Sequence, residues 1–80
     1  MIFQNGSEFR AKRLQHGISQ TDAARLLGVH KYTLCRWELG QTNSHRLRYE
    51  GALLIEAHER GLRIEQLPEI TPRTIRGIIE

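Results

Sequence analysis

A short segment between residues 30 and 36 carries the side chains best suited to contact another molecule. If this segment is helical, five of its residues share the outward side: His30, Lys31, Tyr32, Cys35 and Arg36. The guanidinium group of Arg36 matches the O6 and N7 acceptors of guanine, and such a contact contributes about 1–3 kcal/mol of base discrimination. Lys31 can reach guanine or a phosphate, and Tyr32 can contact a thymine methyl group or a phosphate. The segment therefore predicts a surface that reads bases in a major groove.

Two short helices joined by a tight turn, within residues 19–39, are needed to position this surface. Ser19 can cap the first helix, and Asp22 three residues later completes a capping box. Gly28 can adopt the positive φ that ends this helix. The inward face of the second helix then consists of three apolar residues at helical spacing, Val29, Leu34 and Trp37. This pattern predicts two helices that cross steeply and leave the outer face of the second one free.

Further polar side chains flank the predicted reading helix and are expected to contact the DNA backbone. Helix N-termini and adjacent loops present N–H donors and polar side chains to phosphates. The candidates are Gln20, Thr21, Thr33, Gln41, Asn43 and Arg46. In the alternative interpretation, these side chains and those of residues 30–36 are ordinary solvated groups on a surface helix.

The residue pattern of these two helices resembles the helix-turn-helix of phage-repressor-type (Cro/C1-like, XRE-type) DNA-binding domains. The matching residues are Gln20, Ala24, Gly28, Val29, Leu34, Trp37, Glu38 and Gly40. The preceding FRAKRLQHGISQ resembles the first helix of this family, and the resemblance covers roughly residues 7–60. It implies an all-α, lambda-repressor-like bundle of four to five short helices, to which this chain adds a C-terminal extension. It also implies phosphate contacts at the first residue of the second helix, here Gln20, and in the loop after the third, here near Asn43.

Arg13 falls on the inward face of the first predicted helix, together with Phe9 and Leu14. A lone buried arginine is costly, so Arg13 needs an acidic partner. Glu38, at the end of the reading helix, is the candidate, and the family resemblance implies the same structural ion pair. The alternative is that Arg13 and Glu38 are two independent surface charges.

Glycine, proline and capping signals divide the chain into a flexible arm at residues 1–6, a helix-turn-helix domain at 7–61 and an extension at 62–80. Gly51, inside the fourth helix, predicts a close contact with another helix. The expected helices are helix 1 from a Ser7 N-cap to about residue 16, helix 2 at 20–27, helix 3 at 31–39 after His30, helix 4 from a Ser44 N-cap to about residue 60, and a last helix at about 72–79.

Composition narrows the possible functions. The chain has 80 residues and a net charge of +3, which favours acidic partners, with nucleic acid first among them. It has one cysteine and four histidines without metal-ligand spacing, so we expect no metal and no cofactor. Its carboxylates form no catalytic set with a nucleophile, which argues against an enzyme. We find no signal peptide and no membrane span, and we expect a cytoplasmic protein.

These observations predict a sequence-specific, double-stranded DNA-binding transcriptional regulator. The preferred form is a homodimer that binds a palindromic operator and represses its own gene, of phage or mobile-element origin, including the anti-CRISPR-associated type. The proposed dimer residues lie in the extension: Leu62, Ile64, Leu67, Ile75 and Ile78. Alternatively, the extension only covers the core of its own domain. The competing function is an antitoxin or protein-interaction module whose tail binds a partner protein.

Overall fold

The computed structural model describes residues 2–61, and in this part of the chain it contains four α-helices and no strand. The all-α prediction is confirmed. The predicted helix at about 72–79 and the whole extension at 62–80 lie outside the described residues. The helices are α1 at Gly6–Gln15, α2 at Gln20–Leu27, α3 at Lys31–Glu38 and α4 at His45–Glu59.

The core lies where α1 and α2 both pack against α3 and α4. Phe9 and Trp37 stack at its centre, with their ring centroids 5.3 Å apart and their planes inclined by 34°. The largest fully buried side chains are Trp37, Phe9, Leu26, Leu27, Leu34, Leu54 and Ile55. Because these residues come from all four helices, the core fixes the position of α3 relative to the rest of the domain.

Capping interactions end α2 and begin α4 where the sequence predicts. The Asp22 N–H donates to Ser19 Oγ at 3.0 Å, and Gly28 ends α2 in the left-handed conformation with φ of 68°. The Leu47 N–H donates to Ser44 Oγ at 3.2 Å, so Ser44 is the N-cap of α4. Both N-caps satisfy a backbone donor that has no partner inside the helix.

The N-terminal segment differs from the flexible arm that we expected. Phe3 is only 5% exposed and packs edge-on against Phe9, with a centroid distance of 5.8 Å. The Phe3 N–H donates to the Arg48 carbonyl oxygen at 3.2 Å, and Arg48 Nε donates to the Phe3 carbonyl oxygen at 2.6 Å. Burial of an aromatic ring outweighs the entropy of a free arm, so this segment is part of the domain.

The start of α1 also differs from the expected Ser7 cap. Asn5 is the N-cap, and its Oδ1 accepts a hydrogen bond from the Glu8 N–H at 3.0 Å. The earlier start places Gly6 in the helix, directly against the backbone of Trp37. A Cβ atom at Gly6 would overlap the Trp37 carbonyl group, so only glycine fits this contact.

Leu14 is a third difference, because it is 53% exposed instead of facing inward. The buried residues of α1 are Gly6, Phe9 and Arg13, spaced three and four positions apart along one stripe. Leu14 follows Arg13 directly and is therefore rotated by about 100° away from that stripe. Of these two neighbouring residues, the fold buries Arg13, which forms an ion pair, and leaves Leu14 exposed.

The predicted close contact at Gly51 is present between α4 and α1. A Cβ atom at Gly51 would lie 2.9 Å from Phe9 Cδ1, closer than two such atoms approach in proteins. Glycine therefore lets α4 approach the aromatic ring at the centre of the core.

Candidate nucleic-acid interface

Helix α3 presents one face to the core and the opposite face to solvent. Leu34 and Trp37 are buried, as the spacing predicts, whereas His30, Lys31, Tyr32, Thr33 and Arg36 are exposed. Cys35 is half-buried at the edge of the exposed face. Four of the five residues predicted to read bases therefore lie on the open surface of the helix, and Cys35 borders it.

His30 begins α3 and has a fixed arrangement of ring nitrogens. It is the N-cap of the helix, and its Nδ1 accepts a hydrogen bond from the Tyr32 N–H at 3.2 Å. A neutral imidazole with an accepting Nδ1 carries its proton on Nε2. The free nitrogen of His30 is thus a hydrogen-bond donor that suits the acceptor atoms of guanine or a phosphate.

The side chain of Arg36 lies near the ring of Tyr32, one helical turn earlier. The guanidinium carbon is 5.7 Å from the ring centroid, a cation–π distance. Within residues 2–61, no ion pair engages Arg36 or Lys31. Both cations are consequently available to a partner molecule, and Arg36 is held partly in place by the aromatic ring.

The Arg13–Glu38 ion pair that we predicted is present beneath this surface. Arg13 Nε donates to Glu38 Oε2 at 2.8 Å and Arg13 Nη2 donates to Glu38 Oε1 at 3.1 Å, which is a two-bond fork. Arg13 Nη1 donates to the Ile18 carbonyl oxygen at 2.9 Å, and Gln20 Nε2 donates to Glu38 Oε1 at 3.0 Å. The network joins α1, α2 and α3.

This ion pair also determines the charge of the exposed face of α3. Glu38 is the only acidic residue of the helix, and it is 3% exposed. Because Arg13 neutralises the Glu38 carboxylate inside the fold, the outer face keeps the positive charges of Lys31 and Arg36 without an opposing carboxylate from its own helix. A surface of this sign attracts phosphates.

The residues predicted to contact phosphates fall into two groups. Thr21, Thr33, Gln41 and Asn43 are exposed. Gln20 and Arg46 already make internal contacts: Gln20 donates to Glu38, and Arg46 Nη2 donates to the Leu27 carbonyl oxygen at 3.0 Å. Arg46 Nη1 also lies 3.4 Å from Glu50 Oε1. Both side chains therefore help to position the helices, and only their remaining N–H donors are free for a ligand.

Arg10 is a further candidate, which the sequence pattern alone did not indicate. It is exposed on α1 and lines a groove of about 290 Å³ together with Gln20, Cys35 and Leu39. It comes three residues before Arg13, so the two arginines share the side of α1 that faces α3. The three-residue spacing from Arg13 is the sequence signal that could have indicated a further cation beside the reading helix.

The segment from Phe9 to Ser44, which includes this surface and the ion pair below it, matches one family model, described as Helix-turn-helix. This family model is of the XRE, or Cro/C1, type, and its match covers residues 9–44, less than half of the chain. The match supports a DNA-binding transcription regulator of this type. Neither the curated proteins nor the solved structures include a significant match to the chain.

Two other predictions concern a membrane span and the dimer interface. Among residues 2–61, no helix has the length and apolar character required to cross a bilayer. The residues predicted to form a dimer interface, Leu62, Ile64, Leu67, Ile75 and Ile78, lie outside the described residues.

Proposed function

We propose that this protein is a sequence-specific regulator that inserts the exposed face of α3 into the major groove of double-stranded DNA. The observation that carries this proposal is the contrast between the two sides of α3. Lys31, Tyr32 and Arg36 are exposed, while the helix's carboxylate, Glu38, is buried against Arg13. A helix with this distribution presents donors and positive charge to the acceptor-rich groove.

The exposed side chains have separate proposed roles. Arg36 donates to O6 and N7 of one guanine, with its guanidinium group oriented by the Tyr32 ring. Lys31 contacts a second guanine or a phosphate, and His30 donates from Nε2. Tyr32 also contacts a thymine methyl group or a phosphate. Cys35, at the edge of the face, makes an apolar contact with a base.

The backbone of the DNA is held from both sides of α3. Thr21 at the start of α2 and Thr33 on α3 offer exposed hydroxyl groups, and Gln41 and Asn43 offer amide groups from the following loop. Gln20 contributes its remaining amide N–H, and Arg46 its remaining guanidinium donors. Arg10 adds a positive charge from α1. These contacts position the domain but carry no sequence information of their own.

One reading helix covers only a few base pairs, so we propose that the protein binds as a homodimer to a palindromic operator. Half-sites about 34 Å apart would place two α3 helices in successive major grooves on one side of the duplex. The simplest regulation is repression of its own promoter, as expected for a regulator of phage or mobile-element origin. A cytoplasmic location follows from this role.

The test is selection of bound duplexes from random DNA with the full chain, followed by titrations at several salt concentrations. We expect a palindromic consensus. Arg36→Ala should relax preference at one base position in each half-site, with a loss of about 1–3 kcal/mol of discrimination. Arg10→Ala should weaken all sequences evenly and lower the salt slope by about 0.9 for each phosphate that is no longer neutralised.

Arg60→Ala is the matched control, because Arg60 is an exposed cation at the end of α4 that pairs with Glu56 at 3.3 Å. It should leave the consensus unchanged. Equal binding to all duplexes, or an unaltered consensus with Arg36→Ala, would contradict the proposed role of α3. A protein that prefers no DNA but retains a protein partner would support the interaction-module alternative.

A further inference from the structure

Two histidines far apart in sequence meet where α1 and α4 end. His16 is the C-cap of α1 and His58 lies in the last turn of α4. Their Nδ1 atoms are 3.1 Å apart, and their rings are nearly perpendicular at 81° with centroids separated by 5.0 Å. The sequence shows no ligand spacing for this pair because 42 residues separate them.

We propose that His16 and His58 form a binding site for a divalent transition-metal ion of the Zn²⁺ class. Imidazole nitrogens bind such ions at about 2.0–2.1 Å. An ion at that distance from both Nδ1 atoms would have an N–metal–N angle of about 100°. This value lies between the angles of square-planar and tetrahedral coordination, so the two nitrogens are already spaced as neighbouring ligands.

Glu59 supplies the outer contact that metal-binding histidines usually make. Its Oε1 lies 3.4 Å from His16 Nε2, on the side of the ring opposite the His58 contact. A carboxylate in this position keeps the proton on Nε2 and leaves the Nδ1 lone pair free for an ion. In that tautomer, His16 presents the Nδ1 lone pair that a metal ion requires.

Without an ion, the tautomer of His16 determines the hydrogen bond between the rings. With the His16 proton on Nε2, His58 Nδ1 is the donor and His16 Nδ1 the acceptor of this 3.1 Å contact. When the ion binds, His58 exchanges the Nδ1 proton for one on Nε2, and both Nδ1 lone pairs then point to the metal. His58 remains neutral in this change of tautomer.

The proposed metal site is accessible to solvent. The His16 side chain is 19% exposed and that of Glu59 is half exposed. Within residues 2–61, no three His, Cys, Asp or Glu side chains are arranged around one point, so this part of the chain supplies two ligands to the proposed ion. The bound ion would connect the C-terminal ends of α1 and α4, and it would stabilise the folded state by mass action.

The experiment is calorimetric titration of the full chain with Zn²⁺ alone, together with thermal unfolding with and without the ion. We expect one Zn²⁺ per chain and a rise in Tm that a chelator reverses. His58→Gln should weaken binding at least tenfold and remove the Tm rise. Glu59→Gln keeps both ligands and should weaken binding by about tenfold, the lower end of the usual range for outer-shell carboxylates.

His45→Gln is the matched control, because His45 is an exposed histidine at the other end of α4. It should bind Zn²⁺ like the unmodified chain. The nitrogen resonances of the imidazole rings identify the ligands directly, and Zn²⁺ should shift Nδ1 of His16 and His58. Unshifted Nδ1 resonances, or equal Zn²⁺ affinity for the His58→Gln and His45→Gln variants, would overturn the proposal.

Discussion

Removal of the Arg13 side chain tests whether the buried ion pair holds the reading helix in place. In the variant Arg13→Met, the Glu38 carboxylate loses both hydrogen bonds of the fork and keeps the one from Gln20. Glu38 is 3% exposed, so water cannot replace the missing donors in the folded state. Breaking a buried pair in this way typically costs about 3–5 kcal/mol, because one charge remains without its partner.

This cost is large compared with the whole stability of the domain. A chain of 80 residues has a free energy of unfolding of about 4–12 kcal/mol. We therefore expect Arg13→Met to lose at least about a quarter of the domain's free energy of unfolding. Urea denaturation followed by the fluorescence of Trp37, which is the only tryptophan and is 1% exposed, measures the destabilisation directly.

Two further variants separate the ion pair from a general effect of charge or volume. Arg10→Met removes an exposed arginine from the same helix and should change stability by less than about 0.5 kcal/mol. The double variant Arg13→Met/Glu38→Leu removes both charges, and it should be more stable than Arg13→Met alone. Equal stability of Arg13→Met and Arg10→Met, or a double variant as unstable as the sum of the two single effects, would refute this reasoning.

Two other substitutions test the packing of α4 and the orientation of Arg36. Gly51→Ala places a Cβ atom 2.9 Å from Phe9 Cδ1, so we expect a net destabilisation of about 1–3 kcal/mol in urea denaturation despite the higher helix propensity of alanine; an increase in the denaturation midpoint would contradict the close contact. Tyr32→Leu removes the ring beside Arg36 and should lower affinity for the preferred site by about 0.5–1 kcal/mol in DNA titrations, whereas Tyr32→Phe should keep the ring's contribution. Equal affinities of the two Tyr32 variants would show that the ring does not orient Arg36.

Local sequence signals were sufficient for α2 and for most of α3 and α4. Ser19, Gly28 and Ser44 act through their own backbone neighbours, so the sequence could place these helix ends. Helix α1 was predicted less well, since Asn5 and Ser7 are both good N-caps. The choice between them depends on Gly6, which fits against the distant backbone of Trp37.

On the exposed face of α3 and its surroundings, some positions could also be predicted from local sequence and others could not. The spacing of Leu34 and Trp37 determined which face of α3 is buried, and hence that His30, Lys31, Tyr32 and Arg36 face outward. The burial of Arg13 could be inferred from its place on the inward face of α1. Arg10 was missed, because its position beside Gln20 and Cys35 depends on how α1 packs against α3.

The sequence alone thus determined the all-α class, the helix-turn-helix and the identity of its exposed side chains, because capping and helical periodicity act within a few residues. Only the tertiary structure decided that Phe3 joins the core and that Leu14 remains exposed. It also brought His16 to within 3.1 Å of His58. These results depend on contacts between helices distant in sequence, and no local pattern encodes the distance or angle at which two helices meet.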